Sequence, residues 1–121
     1  MTNPKEIPAT QNEGWGFRGT MGEHAAEAWP VAMSMIASAT GEPHDNVRLF
    51  LDSRFGRHFA DEVHNRLFEG LSLSDAIHSI TERWMTKKIG PRTSSHYGIP
   101  CGMNYLIGFI NHCVIVEESA A

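Results

Sequence analysis

The spacing of hydrophobic residues over positions 56–84 predicts a helical hairpin. Apolar side chains recur every three or four residues in two runs, which places each run on one helical face. Gly70 lies between the runs and marks the turn. Ser72 precedes Asp75 by three residues, an arrangement typical of a capped helix start. The residues predicted to face the core are Phe59, Ala60, Val63, Leu67 and Phe68 in the first helix, and Ala76, Ile77, Ile80 and Trp84 in the second.

An apolar run rich in Ala and Met precedes the hairpin and predicts a helix over residues 20–39. Pro30 lies inside this run and is expected to bend the helix. The alternative is that the helix begins near Trp29 and holds the proline in its first turn. Gly41 is expected to end the helix.

A shorter helix is predicted between the turn at residues 41–43 and the hairpin. Asp45 or Asn46 can cap its start. A break is expected near residues 53–56, with one continuous helix as the alternative, since glycine costs only about 1 kcal/mol in a helix relative to alanine. The apolar positions of this helix are Val47, Phe50 and Leu51.

The two ends of the chain have different patterns. Residues 1–14 are polar, contain two prolines and lack periodicity, which predicts a disordered tail ahead of a single helical domain over residues 15–121. Residues 85–102 hold the densest group of Gly and Pro and are predicted to form a long loop. A final helix follows and is expected to end before Glu117, because acidic side chains oppose the dipole at a helix C-terminus.

These elements predict an all-α fold, a compact bundle of about five helices. The composition is that of an ordinary globular protein, with 41% hydrophobic and 20% charged residues. Two cysteines are too few for a disulfide scaffold, which favours a cytoplasmic location. No apolar run is long enough to span a bilayer, so no membrane partner is expected.

The final helix also predicts a homodimer. Its apolar arc is wider than a small bundle needs on one side, and an uncovered apolar surface favours self-association. The residues predicted to form the dimer contact are Tyr105, Leu106, Phe109, Ile110 and Cys113.

A basic segment follows the hairpin and is the predicted binding site. Acidic residues are absent from residues 84–116, and cations and hydroxyls cluster at the start of this span. Such a segment can hold phosphates electrostatically while its hydroxyls position them. The alternative is that the lysines only stabilise a helix C-terminus. The net charge of −4 argues against nucleic-acid binding through an overall basic surface, but not through a local patch. The predicted site comprises Arg83, Lys87, Lys88, Arg92, Thr93, Ser94 and Ser95.

Histidine and cysteine offer an alternative chemistry. His96, Cys101 and His112 define the rival hypothesis, a metal-binding or cysteine-dependent enzyme. Adding Cys113 completes a set with zinc-ligand chemistry, but the spacing matches no paired zinc motif. Cys101, in the predicted loop near His96, would need a base and an oxyanion site to act as a nucleophile. We therefore predict no cofactor, no metal ligand and no catalytic residue.

Two pairs with Asp and His three residues apart, one on each hairpin helix, resemble part of a helical metal site. They are Asp61 with His64 and Asp75 with His78. The 100° advance per residue turns His78 away from the buried stripe, and Asp75 belongs to a helix cap. Both pairs are therefore interpreted as solvated surface residues.

Residues 56–85 and 98–113 resemble small uncharacterised accessory proteins carried on plasmids and integrative conjugative elements of proteobacteria. The two stretches cover more than a third of the chain, and no site residues carry over from that group. The resemblance implies a regulator, a stability or transfer factor, or an antagonist of a host defence. Each of these acts by binding, so we expect a non-enzymatic protein whose partner is a protein or a nucleic acid.

Overall fold

The computed structural model describes residues 16–120, which form a set of helices around one hydrophobic core. The all-α class is confirmed, and the five longer helices match the predicted number. The predicted tail, residues 1–14, lies outside the described residues. The helices are α1 (Phe17–Met21), α2 (Ala25–Thr40), α3 (His44–Asp52), α4 (Arg54–Phe68), α5 (Leu73–Thr86), α6 (Pro91–Tyr97) and α7 (Tyr105–Ala120), with a 3-10 turn at Gly22–His24.

The first predicted helix is interrupted at Gly22 rather than at Pro30. Gly22 has a φ of +59°, which residues other than glycine rarely adopt, and α2 begins after it at Ala25. Pro30 lies inside α2, as predicted, and the alternative of a helix that begins near Trp29 is wrong. Gly41 ends α2 as predicted, in a left-handed conformation with its N–H bonded to the Ala37 carbonyl at 2.9 Å.

The junction between α3 and α4 requires both a cap and a glycine. The Ser53 hydroxyl accepts the Phe55 N–H and starts α4, which confirms the predicted break. A Cβ atom on Gly56 would lie 2.0 Å from the Leu51 carbonyl oxygen, so only glycine lets the two helices approach this closely. The predicted cap of α3 by Asp45 or Asn46 is wrong: the helix begins at His44 after Pro43, without a side-chain cap.

Helices α4 and α5 form the predicted hairpin. Gly70 turns the chain with a φ of +97°, and the Ser72 hydroxyl accepts the Asp75 N–H at 3.1 Å. The predicted core positions are buried, except that Leu67 is half-buried and Phe68 is 89% exposed at the tip. Phe68 is the last residue of α4, and at this tip of the hairpin its side chain remains exposed although its spacing predicts burial.

The segment between α5 and α7 contains the short helix α6 within the predicted loop. Pro91 occupies its first turn and Gly98 ends it with a φ of +72°, so the residues that break other helices delimit this one. An antiparallel bridge between Lys88 and Asn104 joins the two ends of the segment. The Ile89 N–H also donates a hydrogen bond to the Met103 carbonyl at 2.8 Å, which holds the two ends of the segment together.

Helix α7 completes the core by packing against α3 and α5. It continues to Ala120, so the prediction that it ends before Glu117 is wrong. Acidic residues near a helix C-terminus cost only a few tenths of a kcal/mol, which does not stop a helix held by packing. Within residues 16–120, every helix is too short or too polar to span a lipid bilayer.

Candidate functional site

The predicted basic residues lie on the surface where α5 ends and α6 begins. Arg83 is in the last turn of α5, Lys87 and Lys88 follow it, and Arg92 lies on α6. All four are exposed. These four residues lie near one another because they are close in sequence, but their side chains make different contacts.

Two of these cations contact residues that the sequence prediction did not include. The Arg83 Nε lies 3.3 Å from the Glu62 Oε1 on the neighbouring helix α4. The Lys87 ammonium lies 4.6 Å from the centre of the Tyr105 ring, within the range of a cation–π interaction. Glu62 and Tyr105, the partners of these two cations, both line one cavity.

This cavity, which we call the aromatic slot, has a volume of about 370 Å³ and lies between α4, α5, α6 and α7. Its volume falls within the range of about 300–1,000 Å³ typical of small-ligand sites. Aromatic side chains form most of its lining, together with one carboxylate, one imidazole and one hydroxyl. The lining residues are Phe55, His58, Glu62, Trp84, Thr93, Tyr97, Tyr105 and Phe109.

The two tyrosines are held in place by edge-to-face packing on the core. The Tyr105 ring lies 5.1 Å from Trp84 and 4.8 Å from Phe109, both at steep angles. The Tyr97 ring lies 5.2 Å from Phe55 and 5.5 Å from Phe109 in the same manner. Because such pairs add about 0.5–1.5 kcal/mol beyond their burial, both rings are preorganised.

Charge is distributed around these rings. The Arg54 guanidinium lies 5.6 Å from the Tyr97 ring centre, so each tyrosine has a cation beside it. Burial raises the pKa of the Tyr105 phenol above its usual value, and the nearby Glu62 carboxylate raises it further. The phenol is therefore protonated at neutral pH and can donate a hydrogen bond.

The slot brings together only part of the predicted site. Thr93 lines it, Arg83 pairs with a lining carboxylate, and Lys87 lies against a lining ring. The remaining predicted residues, Lys88, Arg92, Ser94 and Ser95, do not line it.

Sequence reasoning missed the contributions of α4 and the two tyrosines. Arg54, His58 and Glu62 recur every four residues, so they form a polar stripe along one side of α4. That stripe is visible in the sequence, but it becomes a site only because α6 packs beside it. Tyr97 lies in the predicted loop, and Tyr105 belongs to the predicted dimer contact.

The histidine and cysteine residues do not converge. Within the part of the chain that the structure describes, His, Cys, Asp and Glu side chains nowhere gather in a group of three or more suited to a metal ion. His96 and His112 pack against Tyr97, whereas Cys101 is exposed in the turn after α6. Cys113 is buried, its thiol lies 3.5 Å from the Ser53 hydroxyl, and burial raises the pKa of that thiol to about 11.

The hairpin pairs have structural or solvated environments. The His64 Nε2 lies 2.9 Å from the Thr20 carbonyl and links α4 to α1. His78 points away from the core, as predicted, with its side chain 63% exposed and 3.6 Å from Glu82. Neither histidine approaches the slot lining.

The residues predicted for the dimer contact are largely covered within one chain. Leu106, Phe109, Ile110 and Cys113 are each at most 3% exposed, and Tyr105 is half-buried in the slot wall. The exposed apolar residues of α7 are instead Ile115 and Val116, at 61% and 47%. They line a second cavity of about 440 Å³, the α7 groove, together with Ile99, Pro100 and Met103 among others.

Comparison with known proteins adds no assignment to this geometry. No protein-family model, no curated protein and no solved structure matches the chain. What the site does must therefore be argued from its side chains.

Proposed function

We propose that this protein is a non-enzymatic, macromolecule-binding accessory protein of a mobile genetic element, acting in the cytoplasm, and that its partner is single-stranded nucleic acid. One observation carries the choice of partner. The aromatic slot has a cation beside each of its two tyrosines, Lys87 at Tyr105 and Arg54 at Tyr97.

This combination suits a single strand because two different forces act on it. Positive side chains attract the phosphates, and aromatic rings stack with unpaired bases, at about 1–3 kcal/mol per base. In a double helix the bases stack on one another, so their faces are not available to stack with the aromatic rings of the slot. The two forces together favour a strand whose bases are free.

The local charge supports the same partner despite the net charge of −4. Residues 84–116 contain no Asp or Glu, and Glu62, the one carboxylate lining the slot, is neutralised by Arg83. Acidic residues elsewhere on the surface repel phosphates, which directs a strand towards the slot.

The proposal is tested by fluorescence anisotropy with a labelled single-stranded oligonucleotide. Binding should weaken steeply as salt rises from about 50 to 200 mM, because each phosphate contact releases counterions. The variant Lys87→Glu should reduce affinity by about tenfold, since it replaces a phosphate contact with repulsion. Arg48→Glu on α3 is the matched control, because it makes the same charge change at a residue that does not line the slot.

Two results would overturn the proposal. One is an absence of salt-dependent binding to any single strand. The other is an equal loss of affinity in the Lys87→Glu and Arg48→Glu variants, which would mean that only the overall charge matters. A pull-down partner that resists nuclease would then favour the protein-binding form of the expected function.

We also propose that any homodimer forms through the C-terminal half of α7. Ile115 and Val116 are exposed beside the α7 groove, whereas the contact residues predicted from the sequence are mostly buried. Exposed apolar residues next to a groove favour self-association. Sedimentation of wild type and of a Val116→Lys variant tests this: a wild-type monomer at high micromolar concentration would remove the dimer from the proposal.

A further inference from the structure

Glu62 is unusual among the residues that line the aromatic slot, because it is the one acidic side chain among them. Its Oε1 is paired with the Arg83 Nε at 3.3 Å. An ionised carboxylate accepts hydrogen bonds through two oxygens with about four lone-pair positions and donates none. Because Arg83 pairs with Oε1, the second oxygen, Oε2, retains capacity to accept hydrogen bonds.

We propose that the aromatic slot holds one unstacked base and that Glu62 selects guanine. The Watson–Crick edge of guanine carries two adjacent donors, N1–H and the exocyclic N2–H, which match the two oxygens of a carboxylate. Adenine and cytosine each place an acceptor beside their exocyclic amine, and that acceptor would face a carboxylate oxygen unfavourably. The inference rests on the proposed single-strand binding and adds base selection to it.

The slot is suited to a flat ring. Tyr97 and Tyr105 are held by edge-to-face contacts with the core, so little side-chain entropy is lost when a base enters. Arg83 balances the Glu62 charge, which lowers the cost of covering the carboxylate with an apolar ring.

The surrounding charge argues against a cationic ligand in the same slot. Aromatic rings with one carboxylate also suit quaternary ammonium groups. Here, however, Lys87 and Arg54 lie beside the two tyrosines, and Arg83 neutralises Glu62. A cation would be repelled by these side chains, whereas the phosphates flanking a base would be attracted to them.

The test compares thymidine oligomers of about eight nucleotides whose central base is guanine, adenine or cytosine. Wild-type protein should bind the guanine oligomer about tenfold more tightly than the other two, since a good bidentate contact discriminates strongly between bases. Glu62→Gln should reduce the preference to less than about twofold, because the amide offers one acceptor instead of two. Glu82→Gln is the control and should leave the preference unchanged, since that exposed carboxylate lies beside His78.

The outcomes separate the inference from the proposed function. Equal binding of the three oligomers by wild type would overturn guanine selection and leave single-strand binding in place. Binding of none would overturn both. Tighter binding of tetramethylammonium than of any oligomer would identify a cation cage and overturn the inference. The wild-type comparison needs no variant, so the inference can be overturned even if Glu62→Gln fails to fold.

Discussion

Two arginine–carboxylate pairs lie beside aromatic rings in this protein, and they differ mainly in burial. In the inner pair, the Arg18 guanidinium lies 2.9 Å from the Asp52 Oδ1 and 4.0 Å from the centre of the Trp29 ring. In the outer pair, Arg83 lies 3.3 Å from Glu62 at the aromatic slot. Asp52 is 1% exposed, whereas the side chains of the outer pair are 56% and 34% exposed.

This difference in burial separates a structural pair from a candidate binding pair. The inner carboxylate is buried, and Arg18 donates hydrogen bonds to both of its oxygens. This contact holds α1 against the end of α3. The outer carboxylate faces a cavity that can admit a ligand. The same residue types therefore stabilise the fold in one place and offer recognition in the other.

The largest predicted effect is on the inner pair. Arg18→Met should lower the free energy of unfolding by about 3 kcal/mol, because it removes the guanidinium that lies 2.9 Å from a buried carboxylate. Arg83→Met should lower it by less than about 1 kcal/mol, since solvent screens the outer pair. Urea unfolding followed by circular dichroism measures both values. Equal losses in the two variants would show that burial does not distinguish the pairs.

Much of the fold could be predicted from local patterns. Apolar spacing located the hairpin, and Ser72 and Gly41 marked helix boundaries that the structure confirms. The errors concern residues whose role depends on distant neighbours. Phe68 has the spacing of a core residue but lies beyond the helix that would cover it. By contrast, Pro30 lies inside α2 in agreement with the prediction, since packing outweighs the lost hydrogen bond.

The candidate site was harder to predict because it is assembled from four helices. The basic residues Arg83 and Lys87 are evident in the sequence, since no acid follows them for more than 25 residues. Their aromatic partners are not evident, because Tyr97 and Tyr105 line the slot only where α6 and α7 come beside α4 and α5. Single-sequence periodicity cannot report such contacts between elements.

The two cysteines also differ in burial, and this difference should have a smaller effect on stability than the loss of the inner arginine–carboxylate pair. Cys101 is exposed and Cys113 is buried. Burial raises the pKa of the Cys113 thiol to about 11 from an ordinary value of 9.0. Below pH 9 the thiol is protonated in both the folded and unfolded chains. Above it, the unfolded chain loses the proton first, so stability falls as pH rises towards 11.

At pH 10 this linkage should cost about 1 kcal/mol of unfolding free energy relative to pH 8. Cys113→Ala should remove that part of the pH dependence, although it lowers stability at every pH by leaving a small cavity. Cys101→Ser is the matched control and should keep the wild-type pH dependence, because its thiol is exposed in the folded chain. Other groups that titrate in this range, such as Tyr105, are common to all three proteins and cancel in the comparison. If Cys113→Ala and wild type lose stability in parallel between pH 8 and pH 10, the thiol is solvated in the folded protein, and the contact between α7 and Ser53 is looser than its burial indicates.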